Sequence, residues 1–101
     1  MGYFKAVDLN ELQPGQMKMV SIEGKEIVLC NVEGKYYAVD NSCPHMGAPL
    51  SDGELDGTDL WCPFHGASFD VTNGDVLSPP AYENLSCFPV RVTDDAVEIE
   101  V

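Results

Sequence analysis

Cys43-Pro44-His45-Met46-Gly47-Ala48-Pro49-Leu50 sets a thiol and an imidazole one residue apart, with glycine and proline close behind. Sixteen residues separate His45 from a second pair, in Cys62-Pro63-Phe64-His65-Gly66. The two segments hold the only two histidines of the chain and two of its four cysteines. Thiolate and neutral imidazole are donors of choice for transition metals, which makes Cys43, His45, Cys62 and His65 candidate metal ligands. Two Cys and two His can also close one tetrahedral structural zinc site. Paired zinc ligands usually stand two or more residues apart, however, and a Cys-x-His pair converges poorly on one ion. It suits a binuclear centre, where adjacent ligands reach two metals.

Outward from these segments the chain changes character. Between Asn41 and Pro80, prolines 44, 49, 63, 79 and 80 and glycines 47, 53, 57, 66 and 74 break it into tight loops around short strands. On either side, alternating runs read as strands: Tyr3 to Val7, Met17 to Ile22, Glu26 to Val32, Tyr36 to Asp40, Leu85 to Thr93 and Ala96 to Val101. Glu-Gly-Lys occurs at 23–25 and again at 33–35, which suits successive antiparallel hairpins because glycine tolerates positive φ. Leu9 to Leu12 is expected to form one helical turn before Pro14-Gly15, and no other stretch has helical periodicity. The expectation is an all-β single domain over 1–101. Its antiparallel, sandwich- or barrel-like basal layer comes from 1–40 and 81–101, and a loop-rich subdomain from 41–80 carries the ligands.

At 101 residues the chain has material for one modest core, and 45% hydrophobic content argues against disorder. Residues 1–20 contain no apolar run of signal-peptide length, and no later run approaches the roughly 20 residues that cross a bilayer. Met1-Gly2 lacks the hydroxyl residue at position 6 that myristoylation expects, since Ala6 stands there. A cytoplasmic protein without membrane attachment is expected, and its cysteines are then thiols or ligands rather than disulfides. Cys30 and Cys87, in alternating runs, read as small hydrophobes on strand faces.

Seventeen acidic and five basic residues leave a net charge of -12, which argues against nucleic acid and anionic membrane as partners. From Tyr36 to Val90 there is no Lys or Arg but eight acids: Asp40, Asp52, Glu54, Asp56, Asp59, Asp70, Asp75 and Glu83. Such a stretch carries a one-signed field, which makes a basic docking partner plausible.

Cys-x-His, a spacer of this length and Cys-x-x-His, with Gly47, Pro49, Pro63 and Gly66 around them, resemble the signature of the Rieske proteins. Phe88-Pro89-Val90-Arg91-Val92 is similar to the strand that closes their basal layer, and Pro79-Pro80 to the loop that covers their cluster. The resemblance implies a Rieske fold and one [2Fe-2S] cluster, with Cys43 and Cys62 on one iron and His45 and His65 on the other. Two ferric ions, two sulfides, two thiolates and two neutral imidazoles sum to zero charge. Adding an electron is then easier than with four thiolates, and potentials rise from about -400 mV to roughly -150 to +300 mV. High-potential members carry an extra disulfide, where this chain has Ala48 and Phe64. They also carry a serine and a tyrosine that donate to sulfur, where it has Ala67 and Phe69. Lost donors and nearby carboxylates disfavour the extra electron, which implies a potential around -150 mV.

The implied role is that of a soluble, monomeric one-electron carrier. It passes electrons from a NAD(P)H-dependent flavoprotein reductase to the terminal oxygenase of an aromatic-ring-hydroxylating system, docking near His45 and His65, with Met46 and Pro44 in an apolar contact ring. Trp61 and Phe64 are expected to keep water from the cluster. Oxygenase activity in the chain itself would need a mononuclear iron on two further histidines and a carboxylate, and no histidine is left over. The small subunit of an NADH-dependent nitrite reductase, similar in length and fold, and a structural zinc module remain alternatives.

Overall fold

The computed structural model describes residues 2–42, 49–63, 67–78 and 84–101. Eleven strands are found among them: β1 (Tyr3–Asp8), β2 (Met17–Ile22), β3 (Lys25–Val32), β4 (Lys35–Asp40), β5 (Glu54–Asp56), β6 (Asp59–Trp61), β7 (Ser68–Asp70), β8 (Val76–Ser78), β9 (Cys87–Phe88), β10 (Val90–Val92) and β11 (Ala96–Glu100). A single 3-10 turn, Leu50–Asp52, is the one helical element among the described residues. The strands form three antiparallel sheets in the orders β1-β11-β10, β2-β3-β4-β9 and β5-β6-β7-β8, so the expected all-β antiparallel fold is what the chain adopts.

Strand β3 explains how the sheets stack. Side chains alternate across a strand, so a strand buried on both faces reads as a continuous apolar run. Ile27-Val28-Leu29-Cys30 is such a run, and all four residues are fully buried. Ile27 and Leu29 join one core with Val7, Val20, Ile22, Ala38, Val97 and Ile99. Val28 and Cys30 join a second core with Val39, Leu50, Leu60, Cys62, Ala67, Phe69, Val71 and Leu85. The β2-β3-β4-β9 sheet is therefore a middle layer, with the basal β1-β11-β10 sheet on one face and the β5–β8 sheet on the other. At about 1.5–3 kcal/mol per fully buried aliphatic side chain, this run is a principal source of cohesion between the layers.

Both Glu-Gly turns close two-residue hairpins, with Ile22 opposite Lys25 and Val32 opposite Lys35. Positive φ at both central residues, 52° and 78° at Glu23 and Gly24 and 53° and 92° at Glu33 and Gly34, is the type I′ geometry whose twist suits a hairpin. The run from Leu85 to Thr93 is not one strand. Proline has no N–H for a ladder, and at Pro89 the chain leaves β4, which β9 pairs, and crosses to β11, which β10 pairs. Leu9 to Leu12 does not form a helical turn, because Asn10 takes a φ of 71° and only a single turn closes, with Glu11 N–H donating to Asp8 O at 3.0 Å. Asn31, buried in β3, donates through Nδ2 to Leu12 O at 2.7 Å and accepts Gly34 N–H on Oδ1 at 2.9 Å, tying this turn to the middle sheet. Cys30 is a small buried hydrophobe as expected, whereas Cys87 is exposed on β9.

Two expectations follow. A Cβ at Gly53 would stand 1.8 Å from Trp61 O, whereas one at Gly24 meets open space and only the strain of its positive φ. Gly53→Ala should cost about 3 kcal/mol and Gly24→Ala about 1 kcal/mol, read as the difference in thermal unfolding; equal losses would contradict the close packing of β6 on residue 53. Burial pushes the Cys30 thiol up to about 12. The unfolded chain therefore releases this proton first, and stability should be full below about pH 8.5 and fall as pH rises toward 12, a loss that Cys30→Val removes.

Candidate metal centre

Cys62 follows directly on β6 and is only 5% exposed, packed in the second core with Leu50, Leu60, Ala67 and Phe69. Its N–H donates to Ala67 O at 2.7 Å, and Trp61 pairs with Ser68 just before it, so β6 and β7 close on each other at this residue. Cys43, His45 and His65 lie outside the described residues, as do Pro44, Met46, Ala48, Phe64 and the Pro79-Pro80 pair.

The described residues that flank these segments converge. Ser42 and Pro49 pair as an isolated antiparallel bridge, so the chain departs toward 43–48 and returns at one place. Asn41, 2% exposed, holds that place: its N–H donates to Glu26 O at 3.1 Å, its carbonyl accepts Leu50 N–H at 2.7 Å, and its Oδ1 accepts Ser51 N–H at 2.8 Å. The neighbouring Leu50 is fully buried in the same core as Cys62. On the third side, Leu85 N–H donates to Gly74 O at 2.7 Å, Val76 N–H donates to Asn84 Oδ1 at 2.9 Å, and Leu85 enters that core too. Gly74 is required there, since its φ is +80° and a Cβ would stand 2.3 Å from Leu85 O. The described residues on either side of 43–48, 64–66 and 79–83 thus all sit against one apolar base. Asn41, Gly74 and Asn84 were missed by the sequence reading, which followed donor chemistry; the only signal was an Asn at the end of a strand, where its side chain commonly caps a turn.

Sulfur at Cys62 is the kind of donor a soft or borderline metal takes. A bare thiolate among aliphatic and aromatic groups is costly, and coordination that neutralises its charge removes that cost. The other two described cysteines are held as thiols. Burial drives Cys30 up to about 12, and at Cys87 partial burial, then the carboxylates of Asp75 and Asp70, raise the pKa as well. Ligation needs the thiolate, so neither of these two is a ready ligand. Ala67 and Phe69 are fully buried in the same core as Cys62 and bring a methyl and a phenyl there, with no hydroxyl. A groove of about 370 Å³ runs past Cys62, lined by Asp52, Gly53, Glu54, Trp61 and Pro63. Trp61 lines this groove and is 37% exposed, on the solvent side of β6.

Comparison with known proteins agrees with this geometry. The family described as Rieske [2Fe-2S] domain matches residues 2–89. The ferredoxin component of the naphthalene 1,2-dioxygenase system of Pseudomonas putida is 39% identical over 99 residues, covering 98% of this chain and 95% of that one. The Sphingomonas yanoikuyae B1 ferredoxin superposes with a TM-score of 0.93 at 32% identity, covering 99% of both chains. A chain from the complex of reduced oxygenase and oxidized ferredoxin in carbazole 1,9a-dioxygenase superposes with a TM-score of 0.92 at 34% identity, covering 96% of this chain and 91% of that one. No described helix is long and apolar enough to cross a membrane. Matched end to end by ferredoxins, the chain is an electron-transfer component rather than a catalytic subunit. With its three stacked antiparallel sheets and a cysteine, Cys62, buried where β6 and β7 close on each other, it belongs to the Rieske [2Fe-2S] family, whose members bind one Rieske-type [2Fe-2S] cluster.

Proposed function

We propose that the chain carries single electrons from a NAD(P)H-dependent flavoprotein reductase to the terminal oxygenase of an aromatic-ring-hydroxylating system, acting as a monomer in the cytoplasm. The observation that carries this reading is the match to the ferredoxin component of a naphthalene 1,2-dioxygenase system, over 98% of this chain and 95% of that one. The likeness to a chain of an oxygenase–ferredoxin complex supports the direction of transfer.

In this reading Cys43 and Cys62 hold one iron of the cluster, and His45 and His65 hold the other, within a single domain whose 41–80 part is the cluster-binding subdomain. The bound cluster supplies reversible one-electron chemistry. The chain's own residues do the rest. Leu50, Leu60, Ala67, Phe69 and Leu85 form a dry base beneath the ligand segments, and Asn41 ties the first of those segments to β3 and to the 3-10 turn. His45 and His65 form the region where both partners dock. A potential near the low end of the Rieske range, around -150 mV, follows from the methyl and phenyl at Ala67 and Phe69 and from the one-signed charge nearby.

Anaerobic purification with iron and acid-labile sulfide analysis tests the core of this reading, since zinc without sulfide would end it. Cys62→Ser should cut iron and sulfide from about two of each per chain to less than half of that, with the far-ultraviolet β signature retained. Full retention of the cluster would remove Cys62 from the ligand set. Restoring the donors in the double variant Ala67→Ser, Phe69→Tyr should raise the midpoint potential by on the order of tens of millivolts. An unchanged potential with an intact cluster spectrum would show that the low value has another origin.

A further inference from the structure

Two sheet faces of this protein treat charge in opposite ways. On the outer face of the basal sheet, Lys5 and Arg91 stand directly across from Glu98 on either side. Arg91 Nε and a terminal guanidinium nitrogen both donate to Glu98 Oε1, at 2.9 and 2.6 Å, and the guanidinium lies 4.1 Å over the Tyr3 ring. Charges there alternate in sign and stack on an aromatic ring.

The outer face of β5-β6-β7 does the reverse. Leu60 and Phe69 are fully buried on the inner side, so Glu54 and Asp56, Asp59 and Trp61, and Asp70 share the other face. Asp56 stands directly opposite Asp59, and Asp59 directly opposite Asp70, which puts three carboxylates in one row across three strands. Like charges in directly opposed pairs destabilise a sheet by about 0.2–1 kcal/mol each. No Lys or Arg occurs between Tyr36 and Val90 to relieve them. Above this row, Glu54 is paired with the half-exposed indole of Trp61, and the groove beside them leads to Cys62. Trp61 faces Glu54 on one side and the buried Ser68 on the other, with Asp59 two residues before it on its own strand. An exposed large aromatic beside charges of one sign has the composition of an interface centre, and its complement is a surface of the opposite sign with an apolar recess.

We propose that the outer face of β5-β6-β7 is a docking surface for a basic protein. Lys and Arg of that partner neutralise Glu54, Asp56, Asp59 and Asp70, and an apolar recess receives Trp61. The proposal rests on the electron-carrier reading but places a contact on the flank of the cluster-binding region, on the Cys62 side. In the free protein the opposed carboxylates of Asp56 and Asp59 disfavour folding, while Asp70 Oδ1 accepts Thr72 N–H at 2.9 Å and the Thr72 hydroxyl at 2.6 Å. In the complex the row is neutralised, so stability and association should move in opposite directions when Glu54 and Asp59 lose their charge.

The test uses the cluster-loaded protein and cytochrome c, a small basic haem protein, as electron acceptor. The variant Glu54→Gln, Asp59→Asn should raise the thermal midpoint and lower the second-order rate constant of electron transfer about fivefold at low salt, with the difference vanishing at high salt where charges are screened. Its midpoint potential should rise only slightly as two solvent-screened carboxylates are lost, too little to account for a fivefold change in rate. Glu23→Gln, Asp94→Asn removes the same charge from hairpins of the other two sheets and should leave the rate within about twofold. Trp61→Ala should slow transfer at both salt levels. Carbodiimide coupling of carboxylates to the lysines of cytochrome c should give cross-linked peptides containing residues 52–59, a readout that needs no electron transfer. A rate loss no greater than that of the control pair, or cross-links confined to other carboxylates, would overturn the proposal while leaving the carrier reading intact. Absence of a reversibly reducible cluster in the unaltered chain would overturn the carrier reading instead.

Discussion

The structure depends on one strand having no solvent face. Because β3 is buried on both sides, it couples a basal core to the core beneath the metal centre through a single backbone. The β2–β3–β4 hairpins fix its register from both ends, and Asn31 and Asn41 fasten the flanking loops to it or to its neighbours. The ends of the described chain at Ser42, Pro49, Cys62 and Ala67 are therefore set by ordinary sheet hydrogen bonds and apolar packing.

That arrangement separates two tasks that a redox carrier must perform. Its base must be dry and inflexible, so that little reorganises when one electron arrives, and Phe69, Leu60 and Leu50 supply this with zero exposure. Its surface must be wet and charged, so that partners come and go. The same short strands serve both, since Leu60 points to the core while Asp59 and Trp61 on either side of it point outward. Period-two alternation over three residues is enough to divide the labour.

Most of the fold was legible because the signals were local. Alternation marked β1, β2, β4 and β11, and Glu-Gly dipeptides marked both hairpins. Where the reading failed, the deciding contact lay far away in sequence. Leu85 to Thr93 has the pattern of one strand, and only the choice of partners, β4 before Pro89 and β11 after it, shows that it serves two sheets. Leu9 to Leu12 has helical composition, but Asn10 in the left-handed region and the bond from Asn31 to Leu12 O override it. At the site, the donor types and their spacing announced metal chemistry; of the four residues they named, Cys62 is the one among the described residues, buried in the second core. The roles of Asn41 and Asn84 were invisible, because a side chain that caps a distant backbone group looks, in one dimension, like any polar loop residue, and Gly74 showed only as a loop breaker, not as the residue that lets Leu85 approach.

One feature of the topology bears on how such proteins diversify. Strands β4 and β9 are direct neighbours, with Ala38 opposite Phe88 and Val39 opposite Cys87, and Asp40 N–H reaches Ser86 O at 2.9 Å. The whole stretch 41–86 therefore leaves and re-enters the framework at adjacent points, like a cassette inserted between two hydrogen-bonded strands. Closing such an excursion costs only about 0.6 kcal/mol more for each doubling of its length. Insertions or exchanges of this cassette should tax the framework little, so a lineage can alter what surrounds the redox centre without redesigning the scaffold that carries it.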